Sequence, residues 1–257
     1  MSGREPASDA TSRFSDRVDD YVKYRPSYPP AVIDTIESRA RLPAGARIAD
    51  VGSGTGISAK PWLERGYEVF GVEPNDAMRA AAERLLGAYA RFHSVRGTAE
   101  ATTLPDASVD LVVAAQAFHW FEPRKARAEL RRILVPPFRA ALVWNERLTE
   151  GAFLEAYEGA LLEHAIDYAK VDHRNIDAAA IEQFFGGPFE QLVFENAQRF
   201  DREGFLGRAL SSSYVPQRGH PKHEAMMAAL GRIFDAHQQG GAVEFRYRTV
   251  LYLGALK

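Results

Sequence analysis

No cysteine occurs among the 257 residues, which excludes a disulfide framework, a thiolate metal site and a cysteine nucleophile. No excess of either charge is present: 32 Lys and Arg stand against 34 Asp and Glu, a formal net charge of −2. Nucleic acid, whose phosphates demand a basic face, is therefore not an expected partner. Apolar runs never approach the roughly 18 residues of a membrane span, and Met1–Ser12 lacks the apolar stretch of a signal peptide. Fixed-period repeats and low-complexity tracts are missing too. The expectation is a cytoplasmic monomer or homodimer with no membrane partner. With 46% hydrophobic and 26% charged residues, the composition suits one large α/β domain.

From Arg47 onward short apolar runs alternate with helical patterns. Arg47–Val51 reads as a strand ending in the cluster Gly52-Ser53-Gly54-Thr55-Gly56. A helix follows over about Ser58 to Arg65, stopped by Gly66. Tyr67–Val72 is the second strand, and Asp76 to Leu86 a helix after an Asn75 N-cap. Strands are expected near Phe92–Arg96 and at Val109–Ala115, whose continuous apolar run fits burial on both faces. Pro123 starts a helix with Ala126, Leu130, Ile133 and Leu134 on one stripe. Ala140–Trp144 is the fifth strand. This rhythm implies βαβ units and a parallel sheet. Beyond it, Phe153 to Tyr168 and Asp177 to Phe185 read as helices, Gln191–Phe200 as a strand, and Phe245–Leu253 as an edge strand. The chain is read as one domain over residues 1–257. Residues 1–30 form a leader, and about 147–187 a helical lid over the site.

The glycine cluster sits where a doubly wound fold binds its ligand, at the carboxyl end of the first strand. Glu73 ends the second strand, where an acidic side chain can accept hydrogen bonds from both ribose hydroxyls. The loop reads Gly-x-Gly-x-Gly, whereas a dinucleotide fingerprint would need a third glycine at Ile57. A cofactor with a ribose but no pyrophosphate suits it better. A tight strand-to-helix turn without a ligand is the plainer alternative.

The run Asp50-Val51-Gly52-Ser53-Gly54-Thr55-Gly56, followed by Val72-Glu73-Pro74-Asn75 and Met78, resembles class I S-adenosylmethionine-dependent methyltransferases. Within them it is most similar to the small-molecule branch that includes trans-aconitate methyltransferase-like proteins. Gly97-Thr98-Ala99-Glu100 with Leu104-Pro105, Ala115-Gln116-Ala117-Phe118-His119-Trp120-Phe121 and Tyr24-Arg25-Pro26-Ser27-Tyr28-Pro29 extend the resemblance over roughly residues 14–145. It implies a Rossmann-like seven-stranded sheet of order 3-2-1-4-5-7-6, the last strand antiparallel, with Phe245–Leu253 in that slot. It further implies S-adenosyl-L-methionine held by Asp50, Gly52, Ser53, Gly54, Glu73 and Pro74, with Ala99 and Glu100 beside the adenine and Gln116 near the methionine end. The family's usual Pro-Gly-Gly before the fifth strand is replaced by Pro136-Pro137-Phe138, so glycine's positive-φ option is lost there.

A sulfonium methyl is already electrophilic, so the protein's main work is to hold a nucleophile in line. His119 is the candidate catalytic residue, as a base or an orienting group; its alternative is a histidine bonded to backbone at a turn. Trp120 and Phe121 either wall the pocket or pack. Trp144, Asn145 and Tyr214 are candidate substrate contacts. Arg25 either pairs with the cofactor's carboxylate or stacks on Tyr24 or Tyr28. Arg124, Lys125, Arg127, Arg131 and Arg132 form a helical face that solvation explains. The expected reaction is methyl transfer to an oxygen of a small molecule, a carboxylate being the acceptor the branch implies. An NAD(P)-dependent oxidoreductase is the first rival, though the third glycine is misplaced and no Tyr-x-x-x-Lys pair occurs. A non-catalytic cofactor-binding homologue is the second. No Asn/Asp-Pro-Pro-Tyr motif points to nucleic-acid amino methylation, and no carboxylate cluster suggests a metal.

Overall fold

A computed structural model describes residues 22–166, 168 and 178–257; most of the expected leader and part of the expected lid lie outside these. The elements in chain order are α1 (Pro30–Ala40), β1 (Arg47–Val51), α2 (Ala59–Glu64), β2 (Glu68–Val72), α3 (Asp76–Leu86), β3 (Phe92–Val95) and β4 (Val109–Ala115). There follow a 3-10 turn (Phe118–Trp120), α4 (Pro123–Ile133), β5 (Leu134–Arg147), α5 (Ala152–His164), α6 (Ala178–Phe185), β6 (Phe189–Phe200), α7 (Arg202–Leu210), α8 (His223–His237) and β7 (Val243–Ala255).

The seven strands form one sheet in the order β3-β2-β1-β4-β5-β7-β6, as the resemblance implied. Pairs among β1 to β5 are parallel, whereas β7 runs antiparallel to both β5 and β6. The edge expected at Phe245–Leu253 is therefore corrected: β7 is paired on both sides, and β6 is the edge. Period-two alternation reads as a strand with two unlike faces and says nothing about how many neighbours it has. β5 is also longer than Ala140–Trp144, because β7 continues the ladder out to Arg147.

Alternation along the strands splits the core in two. On one face Ala49, Val51, Val112, Ala114, Leu142 and Trp144 pack under α4 and α6. On the other, Ile48, Val69, Leu111, Val113, Ala141 and Val143 pack under α1, α2 and Leu86 of α3. A third cluster joins α5, α7 and α8 to the far part of β7 through Tyr157, Phe205, Leu230 and Phe245. Local signals explain several starts. Asn75 caps α3 by accepting from the Met78 N–H at 3.0 Å, and Glu122 caps α4 by accepting from the Arg124 and Lys125 N–H groups. At the Pro136-Pro137-Phe138 departure, the Pro-Pro peptide is cis and Phe138 itself takes φ 60°. The positive-φ turn is kept after all, by a residue other than glycine, with the Arg131 guanidinium 4.1 Å over its ring.

The lid reading for 147–187 does not fit the described part of that segment. Ile181, Phe184 and Phe185 of α6 are buried beneath the sheet face beside α4, and α5 packs against α8. Both helices act as buttresses. Among the described residues no helix is long and apolar enough to cross a membrane.

Candidate functional site

Strands β1, β2 and β4 deliver three loops to one end of the sheet, and these enclose a cavity of about 270 Å³. The Gly52–Gly56 loop forms its floor, Glu73-Pro74-Asn75 one wall, and Ala115–Ala117 with His119, Trp120 and Phe121 another. Thr98, Ala99 and Glu100 close a third side, while Arg25, Pro26 and Tyr28 cross above. A wider groove of about 590 Å³ is lined only by α5 and α8 residues. It receives none of the loops that follow the parallel strands, where doubly wound sheets bind ligands.

The loop's shape is dictated locally. Gly52 and Ser53 N–H groups both donate to the Val72 carbonyl, at 2.8 and 3.2 Å. Gly54 has φ 55°, and no atom lies within 4 Å of where its Cβ would stand, so bare backbone meets the cavity. Gly56 has φ 85°, and a Cβ there would lie 2.4 Å from Leu86 Cδ1; this glycine serves the packing of α3 against the loop. Glu73 braces the whole wall: Oε2 accepts from the Gly54 N–H at 2.9 Å and Oε1 from the Asn75 N–H at 2.8 Å. Burial pushes its carboxyl above the ordinary range, and those two backbone hydrogen bonds with the Arg79 charge oppose the rise. Each oxygen keeps a lone pair for a further donor.

Eleven of the residues singled out in the sequence meet here: Arg25, Gly52, Ser53, Gly54, Glu73, Pro74, Ala99, Glu100, Gln116, His119 and Trp120. Glu100 Oε1 accepts from the Glu122 N–H at 2.8 Å, tying the third side to the start of α4. Gln116 adopts φ 56°, unusual for a residue with a side chain. It is held there by its N–H on the Val143 carbonyl and its Nε2 on the Asn145 carbonyl. The His119 ring lies 4.8 Å from that of Trp120, centroid to centroid, and Trp120 is 42% exposed at the cavity mouth.

Four other candidates stand elsewhere. Asp50 is fully buried beneath the loop, its Oδ2 accepting from Ser58 Oγ at 2.6 Å. Trp144 is packed against Phe118 and Tyr252 in the core, since a strand that alternates faces turns it away from the mouth. Asn145 is enclosed by protein partners: it accepts from Thr249 Oγ1 at 2.6 Å and from Asn196 Nδ2 at 3.1 Å, and donates to the Ser27 carbonyl at 3.2 Å. Tyr214 stacks edge-on against Tyr168 in the α5–α7–α8 cluster.

The reading of the sequence missed how the strap over the cavity is held. Gln198 Nε2 donates to the Tyr24 carbonyl, Asn196 Nδ2 to the Ser27 carbonyl, and Arg25 Nη2 to the Ser211 carbonyl. These partners come from β6 and the end of α7, remote in sequence, and no local pattern could link them. Thr55 and Ile57 were also missed as lining residues. Thr55 Oγ1 is buried without a hydrogen-bond partner among the described residues, so the loop has a hydroxyl to offer a ligand.

Bare backbone at Gly54, a braced carboxylate at Glu73 and the Thr55 hydroxyl fit a ribose-bearing cofactor. The sheet order separates this fold from the dinucleotide-binding order 3-2-1-4-5-6, which has no antiparallel strand in the position of β7. Among the described residues no group of three or more His, Asp or Glu could hold a metal ion.

Residues 49–137 match the family model of the methyltransferase domain. An uncharacterized methyltransferase of Mycobacterium tuberculosis is 41% identical over 144 residues, covering 54% of this chain and 54% of that protein. The match thus spans about half the length of that relative. An uncharacterized methyltransferase of Schizosaccharomyces pombe is 26% identical over 93% of this chain and 95% of its own length. The solved structure of a candidate type II methyltransferase from Anaeromyxobacter dehalogenans superposes with a TM-score of 0.67 at 25% identity, covering 91% of this chain and 98% of that one. Residues 49–137 of this chain thus resemble a methyltransferase domain, and the seven-stranded sheet that holds them superposes on the Anaeromyxobacter structure.

Proposed function

We propose that the protein transfers a methyl group from S-adenosylmethionine to an oxygen of a small molecule. The observation that carries this reading is the Gly54–Glu73 pair, which presents bare backbone and a braced carboxylate at the carboxyl ends of β1 and β2. When bound, the cofactor supplies an electrophilic sulfonium methyl. Glu73 holds the ribose hydroxyls, Ala99 and Glu100 flank the adenine, and Gln116 stands at the methionine end. Arg25 reaches the cofactor's carboxylate from the strap, a role suited to its planar double donor. Asp50 acts from beneath the loop, through Ser58. His119 orients the acceptor or takes its proton, and Trp120 shields the mouth from water. Asn145 serves the site indirectly, by pinning Ser27 of the strap and Gln116 of the wall. A carboxylate acceptor, which the resemblance to trans-aconitate methyltransferase-like proteins suggests, needs no base.

Calorimetric titration with S-adenosylhomocysteine, and in parallel with NADH, tests the cofactor. Micromolar binding of the first alone supports the reading, and binding of NADH alone overturns it. Glu73→Ala is expected to weaken S-adenosylhomocysteine binding about ten- to a hundredfold, the loss of one or two charge-assisted hydrogen bonds. Unchanged affinity would remove Glu73 from the ribose. His119→Ala should slow transfer of a labelled methyl group about a hundredfold if the imidazole takes the proton, with cofactor affinity kept within about twofold. Full activity in that variant would strike His119 from the site.

A further inference from the structure

Outside the cavity, one buried positive charge has no negative partner among the described residues. Arg208 of α7 is 5% exposed. Its Nε donates to Tyr247 Oη at 3.1 Å and its Nη1 to Ser212 Oγ at 3.1 Å. Its strongest electrostatic neighbours are the phenols of Tyr247, Tyr157 and Tyr214, and its guanidinium stands 5.7 Å from the Phe245 ring centre. Among the described residues no carboxylate lies within ion-pairing distance of it. A second guanidinium, Arg147 at the end of β5, shares Tyr157 and Tyr214 as neighbours. Arg147 is matched by Glu158, with Tyr168 Oη bridging the two at 3.0 and 2.7 Å. Among the described residues, the two buried cations have one carboxylate, Glu158, beside them. Buried charges are paired in folded proteins, because an isolated one forfeits its hydration.

The surroundings are built of donors. Neither the Tyr157 nor the Tyr214 hydroxyl has a hydrogen-bond partner among the described residues, and Arg208 keeps Nη2 beyond the two bonds named. A guanidinium fork with two phenol hydroxyls beside it matches the geometry of a carboxylate or phosphate. The cluster also abuts the strap. Tyr247 Oη donates to Gln198 Oε1, whose Nε2 holds the Tyr24 carbonyl. Ser211, three residues from Arg208, accepts from Arg25, which lines the cofactor cavity. Tyr24 lies against Gly207, with no room there for a Cβ.

We propose that Arg208, oriented by Tyr247 and Ser212 and flanked by the Tyr157 and Tyr214 hydroxyls, is a binding site for an oxyanion of the methyl acceptor, placed behind the strap that roofs the cofactor cavity. Only the identity of the occupant as the acceptor rests on the methyl-transfer reading. The site explains why a cation is buried in the helical cluster, and it makes the acceptor an acid.

The test titrates the intact protein, saturated with S-adenosylhomocysteine, with sodium phosphate, succinate, citrate and benzoate at constant ionic strength. At least one probe should bind, and whether it is phosphate or a carboxylate tells which oxyanion the site takes. Arg208→Gln should weaken that probe at least tenfold, and Tyr214→Phe and Tyr157→Phe several-fold, with S-adenosylhomocysteine affinity within twofold in all three. Should Arg208→Gln fail to fold, as circular dichroism would show, the two tyrosine variants decide. No binding by any probe overturns the proposal, as does binding that the variants leave unchanged. Failure of S-adenosylhomocysteine to bind the native protein would instead sink the methyl-transfer reading, and repeating the anion titrations without it would still decide the site.

Discussion

Asparagine in place of Asp50 is expected to make the fold more stable above neutral pH by about 4 kcal/mol and to flatten its pH dependence below. Burial pushes the Asp50 carboxyl up to about 7, the Glu73 charge adds to the rise, and the Ser58 hydrogen bond opposes it. Oδ1 is buried without a hydrogen-bond partner among the described residues, so none of them compensates that oxygen when the group ionises. An unfolded aspartate ionises near 3.8. Between those two values the native state keeps a proton that the unfolded state has released, so stability falls as pH rises, by about 1.4 kcal/mol per unit. Above pH 7 both states are ionised and the penalty is constant and complete. Asparagine carries no such charge and can still accept from Ser58. Urea unfolding of both proteins at pH 5, 6, 7 and 8 should give curves of free energy that diverge upward in pH. Parallel curves would mean that Asp50 is ionised throughout.

Gly56→Ala should cost about 2–5 kcal/mol, from two independent penalties. Alanine at φ 85° is strained by roughly 1–2 kcal/mol. Its methyl would also stand 2.4 Å from Leu86 Cδ1 and 3.3 Å from Cγ, and overpacking of this kind costs roughly 1–3 kcal/mol. Leu86 is fully buried, so shifting its side chain disturbs the residues packed around it. For a chain of this size the melting temperature should fall by roughly 5–15 °C. A midpoint within a degree of the native one would show that α3 slides along the sheet to make room.

These two residues also show what could be read ahead of the structure. The loop at Asp50–Gly56, the cap at Asn75, the strand at Val109–Ala115 and the helix start at Pro123 are local features, and each lies where its composition placed it. Glu73 was legible because a strand end and a carboxylate coincide. Trp144 and Asn145 were not, although they are neighbours of Gln116 in space. Which face a strand residue takes depends on the register of β5 against β4 and β7, and register is a property of pairs. Helix α1 escaped notice because Pro29-Pro30 reads as leader, whereas proline at the first helical position starts the helix. α7 and α8 escaped because their apolar residues answer to a third cluster that only tertiary packing creates. The buttress made of α5 and α6 looked like a lid for a similar reason: amphipathic helices after the fifth strand state that they cover something, and not what.

The position of β7 has a consequence for how the chain is made. Strands β1 to β5 can find one another as residues 47–147 emerge from a ribosome, each joining a neighbour already synthesised. β6 cannot, because among the described residues its only sheet partner is β7, some forty residues later in the sequence. Until Val243–Ala255 is available, β6 and the rim of β5 both present unpaired edges, the state in which strands most readily capture the wrong partner. The strap shares that delay, since Gln198 and Asn196 of β6 are two of its anchors. During synthesis the glycine loop is therefore assembled first and its roof last, so the nascent domain can meet its cofactor before it can enclose it.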